Sequence, residues 1–134
     1  MAFTASSIAT SMNIYCAALR FAVTFMFWVS GIAKLFDFSG AVAEMRRFGL
    51  TPAGPIAVGV IAVTIGASSL ILMGLHVWIC ALALALFTLS TIPVAHDFWN
   101  AQGDLAVMKK HFAAEHITVV AGLVLLALLD LGGQ

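Results

Sequence analysis

The sequence predicts an all-α fold, a four-helix transmembrane bundle with no sizeable water-soluble domain, and three observations carry that prediction. Hydrophobic residues make up 63% of the chain and charged residues 9%, with a mean hydropathy of +1.10, whereas soluble domains are nearer half apolar and a quarter charged. The apolar residues gather into long runs separated by the few charges. The 134 residues suit one domain, residues 1–134, because four spans of roughly 20 residues use most of the chain.

The first run, residues 15–33, is apolar apart from Arg20 and ends where charge returns at Lys34. Residues 34–54 carry Asp37, Glu44, Arg46 and Arg47 with the breakers Gly49, Pro52 and Gly54, a composition suited to an interfacial loop or a short amphipathic helix. Residues 55–75 contain no charge and form the second span; Pro55 stands where a helix start tolerates a missing amide hydrogen. Gly74, Leu75 and His76 make a very short connection to the third uncharged run, residues 77–95, so spans two and three form an antiparallel hairpin. Pro93 frees a carbonyl one turn back, with Ser90 and Thr91 at hand to satisfy it.

The last apolar run, from Ile117 to Leu129, is too short for a hydrocarbon core of about 30 Å. The fourth span is therefore expected over residues 112–131, with Glu115 and His116 on its first turns at the membrane boundary. Small residues at helical spacing, Gly59, Ala62, Gly66 and Ser69 on span two and Ala81, Ala85 and Thr88 on span three, predict faces that meet other helices closely. Basic residues lie in the first loop (Lys34, Arg46, Arg47) and the third (Lys109, Lys110), and the positive-inside rule puts those loops in the cytoplasm and both termini outside.

Six basic and six acidic residues cancel, which leaves no basic field for nucleic acid. The chain has no Gly-rich phosphate loop and no GxSxG elbow, so no catalytic residue is assigned. Three groups of residues remain as candidates. Arg20 within span one and Asp130 near the same outer face would form an intramembrane ion pair if the first and last helices are neighbours; a snorkelling arginine needs no such partner. Cys16 and Cys80, near the outer ends of their helices, are candidate redox thiols, or two separate apolar fillers. His96, Asp97, Trp99, Glu115 and His116 gather near the cytoplasmic face as a possible quinone or proton-relay cluster. Their spacing matches no HxxxH or HExxH metal motif, and no metal site is assigned.

Arg20 followed by SGIAKLFDF (30–38), FGLTP (48–52), ILMGL (71–75) and AHDFWNAQGD (95–104) together resemble the DoxX family of small bacterial integral membrane proteins. The resemblance implies a four-helix bundle of the bacterial cytoplasmic (inner) membrane, in a family named for a subunit of a thiosulfate:quinone oxidoreductase. It also implies a glutamate within the second span, where this chain has Thr64. The first expectation is thus an accessory or anchoring subunit of a quinone-linked redox complex, with quinone as the only cofactor suggested, and partnered by the bilayer and by other membrane subunits or copies of itself. A small oligomeric channel or transporter, with Arg20, Thr64 and Asp130 on its pathway, is the second. A membrane thiol-disulfide oxidoreductase using Cys16 and Cys80 is the third.

Overall fold

The computed structural model describes residues 5–133. Five α-helices follow one another: α1 (Ala5–Phe36), α2 (Phe38–Arg47), α3 (Ala53–Met73), α4 (Val77–Ala95) and α5 (Gly103–Gly132), with a 3₁₀ turn at Phe98–Asn100 before α5. All but α2 are long and apolar enough to cross a membrane. They form a ring in the order α1, α3, α4, α5, closed only loosely between α5 and α1.

The third run has the expected bounds, while the first and last helices are longer than expected. Neither Gly nor Pro occurs before Gly31, so nothing stops α1 from propagating outward past the apolar run to Ala5. The last helix begins at Gly103 rather than near residue 112, because Leu105, Ala106, Met108, Lys109 and Lys110 are all strong helix formers. Glu115 and His116 accordingly lie on the fourth turn of α5, not the first.

The first loop is largely a helix. Asp37 caps α2 by accepting from the Gly40 amide at 2.9 Å and the Ser39 hydroxyl at 3.0 Å, and these bonds to the charged form, the amide first, hold its carboxyl below the usual carboxylate range. The apolar face of α2 buries Ala41 and Met45 against Ala53 and Ala57 of α3. Pro55 falls in the first turn of α3, where amide hydrogens have no helical partner. At the far end Gly74 closes α3 with φ +74, its amide bonding to the Ile71 carbonyl while the Leu75 amide reaches back to Leu70. A left-handed residue there calls for glycine.

The interior has the polarity expected of a protein whose solvent is lipid. Phe27, Ile71, Leu84 and Leu123 are buried, but so are Thr24, Thr64, Ser68 and Thr88, while Leu86 is 71% and Leu129 67% exposed. Large aliphatic side chains covering the outside would be untenable in water and are ordinary against acyl chains. The small-residue faces divide. Ala81, Ala85 and Thr88 are buried within the bundle, whereas Gly59, Ala62 and Gly66 face outward, and a methyl added at Gly59 or Gly66 would meet nothing within 4 Å. Gly31 is different: its missing side chain lets α1 touch Thr64 and Ile65 of α3. α4 continues through Pro93; Ser90 and Thr91 bond the Phe87 and Thr88 carbonyls rather than the carbonyl of Leu89 that the proline leaves free.

Candidate functional site

A cavity of about 530 Å³ lies at the end of the bundle that carries α2, with contributions from all five helices. This is the size of an ordinary small-molecule site. Its apolar walls include Met26, Phe27, Met45, Val60 and Phe87, and its polar groups are Ser30, Lys34, Glu44, Thr64, Thr88, Ser90, Thr91, His96 and His116. Thr64, eleven residues into α3, stands roughly 16 Å along that helix from its start at 1.5 Å per residue. The polar lining therefore extends from the membrane boundary well into the bundle.

At the boundary, Lys34 at the end of α1 pairs with Glu44 of α2 at 2.9 Å. The Lys34 ammonium also donates to the Ser30 hydroxyl at 3.4 Å. The pair ties α2 over the mouth of the bundle, with both side chains partly shielded from solvent. Opposite it, the His96 and His116 rings meet edge to face with centroids 4.5 Å apart, and Phe112 lies 5.4 Å from His96. His116 Nδ1 is 2.7 Å from the Phe112 carbonyl. A carbonyl only accepts, so Nδ1 carries the hydrogen, and in the neutral ring Nε2 keeps its lone pair.

Of the five residues expected to cluster here, the structure brings His96 and His116 together on the cavity. Asp97 is turned to Lys109 in an ion pair and to the Asn100 amide, which pins the 3₁₀ turn to α5. Trp99 is 56% exposed and packs on Phe98; Glu115 is exposed on α5. Neither lines the cavity. Among the described residues, no three of His, Cys, Asp and Glu converge as a metal site.

The second group lies at the opposite end, where a groove between α1 and α5 is lined by Cys16, Leu19, Arg20, Leu126 and Asp130 among others. Arg20 and Asp130 share this groove without meeting: among the described residues the ion pairs are Lys34–Glu44 and Lys109–Asp97. The Asp130 carboxylate instead accepts the Trp78 amide at 3.2 Å, capping the N-terminus of α4, and the Arg20 guanidinium rests against Gly74. The cysteines are both free, Cys16 exposed and Cys80 buried. Helices α1 and α4 are diagonal in the ring, and none of their Cα atoms approach within 8 Å. A disulfide requires Cα atoms nearer than about 7 Å, so this arrangement does not bring the thiols within bonding range.

Sequence reasoning missed Ser30, Glu44, Thr88 and Thr91 as lining groups, and read Lys34 as a span-ending and orienting charge within the family-like stretch, not as a lining group. Glu44 reaches the site only because α2 folds back, and hydroxyls inside apolar runs look like fillers. Thr64 had a signal, as the position where the family resemblance implies a polar side chain.

Comparison with known proteins gives three findings. The family model described as DoxX matches residues 15–97, which includes Lys34, Glu44, Thr64, Thr88 and His96. Inner membrane protein YphA of Escherichia coli (strain K12) is 25% identical over 109 residues, 81% of this chain and 78% of the relative. No solved structure matches.

Proposed function

The chain belongs to the DoxX family of integral membrane proteins, and from that premise we propose that it is an accessory or anchoring subunit of a quinone-linked redox complex in the bacterial inner membrane, its cavity receiving the quinone ring. The observation that carries the reading is the cavity itself. Apolar and aromatic walls suit a flat ring and its hydrocarbon tail. Polar groups at the boundary and farther in at Thr64 and Thr88 suit the two ring oxygens, and the volume of about 530 Å³ is in the range for such a ligand.

Binding and positioning are the roles assigned to Lys34, Glu44, His96 and His116, and the electron transfer belongs to a partner subunit. The uncovered face of α3 at Gly59, Ala62 and Gly66 favours such a partner, since small residues let a second helix approach closely. Charge placement supports an orientation with the Lys34 and Lys109 end in the cytoplasm and both termini outside. The inner-membrane relative supports the location.

Extraction in mild detergent followed by native mass determination tests the proposal. A complex containing further subunits and bound quinone is expected. A stable monomer carrying no quinone and no partner would overturn it.

A further inference from the structure

We infer that the cavity selects ligands that donate hydrogen bonds, phenols and hydroquinones, over their carbonyl counterparts. The inference rests on the proposal that this cavity is the ligand site, and it follows from where the hydrogens of its walls are already spent.

Thr64 Oγ1 donates to the Val60 carbonyl at 2.8 Å, with Ile61 at 3.2 Å. Thr88 Oγ1 donates to the Leu84 carbonyl at 2.7 Å, Thr91 Oγ1 to Thr88 at 2.7 Å and Ser90 Oγ to Phe87 at 2.6 Å. His116 Nδ1 is committed in the same way to Phe112. A hydroxyl has one hydrogen and two lone pairs. With that hydrogen held by its own helix, each hydroxyl offers a ligand only lone pairs.

Donors are confined to the boundary. Lys34 spends hydrogens on Glu44 and Ser30, which leaves its third, together with the Ser30 hydroxyl and the ring N–H of His96, near the α2 end. Farther in, Thr64 and Thr88 are fully buried and present acceptors alone. A carbonyl oxygen there would face lone pairs and lose its hydrogen bonds to water, a penalty that leaves buried polar groups strongly discriminating. A ring hydroxyl in the same place would donate to a threonine oxygen.

The test compares decylubiquinone with decylubiquinol, which differ in this respect and share one tail. Each is titrated anaerobically into the protein in nanodiscs, and binding is followed by tryptophan fluorescence. The reduced form is expected to bind roughly 3–10-fold tighter, the worth of one hydrogen bond. In Thr64→Val and Thr88→Val, affinity for the reduced form should fall by a similar factor while that for the oxidised form does not fall. Equal affinities, or tighter binding of the oxidised form, overturn the inference and leave the cavity assignment standing. Binding of neither form overturns the cavity assignment as well.

Discussion

Gly31 gives the sharpest prediction about the bundle. A Cβ built there would lie 2.6 Å from Ile65 Cγ1 and 2.7 Å from Thr64 Oγ1, nearly an ångström inside ordinary van der Waals contact. One neighbour is the stiff branched stem of an isoleucine, and the other is a hydroxyl held to two carbonyls of its own helix. Gly31→Ala must therefore push α1 away from α3, and overpacking of this kind costs about 1–3 kcal/mol. Gly66→Ala is the comparison: the added methyl meets nothing, and exchanging glycine for alanine inside a helix is worth roughly 0.5–1 kcal/mol in the stabilising direction. Equilibrium unfolding in mixed SDS and dodecylmaltoside micelles reads both. A clear loss is expected for the first variant and none for the second. Equal losses would refute the placement of Gly31 against α3 and Gly66 on an open face.

Three further outcomes follow from individual contacts. Asp130→Ala should lower stability by about 1 kcal/mol through loss of the cap on Trp78, with Asp130→Asn restoring most of it; a much larger loss in both variants, measured in the same micelles, would indicate a pair with Arg20 instead. The Asp37 cap should be pH-dependent: its carboxyl is held low, so its contribution is complete above the ordinary carboxylate pKa of about 3.9 and is lost as pH falls below that through the lower folded value. Faster exchange of the Gly40 amide only in that acid range is the expected sign, and Asp37→Asn should flatten the dependence. An impermeant maleimide should label Cys16 from outside intact cells and leave Cys80 unmodified until the protein is unfolded. Labelling of Cys16 only after the membrane is opened would reverse the proposed orientation.

The spans were readable because lipid imposes one rule on every residue they contain, and breaches of it are few. The run at residues 77–95 is bounded by His76 and His96 and appears as α4 with those limits. The start of α5 was misplaced because Lys109, Lys110, His111 and Glu115 look like a loop to a hydropathy argument, although the helix propensity of Lys and Glu is high. At the site, His96 and His116 were legible as polar groups at one depth. Their separation from Asp97, Trp99 and Glu115 was not, since helical phase decides which side chains turn inward. Asp130 shows the same limit. Sequence offers Arg20 as its natural partner by charge and depth, but the structure gives its carboxylate to a backbone amide 52 residues away, a contact that exists only once α4 and α5 are packed.

Photoaffinity mapping with an azidoquinone in native membranes tests the cavity assignment most directly. Adducts are expected on Met45, Phe87 and His116, which line one cavity from three different helices, with protection of all three by excess unmodified quinone. Adducts confined to outward residues such as Phe25, Leu86 and Leu128, or unaffected by competitor, would contradict it.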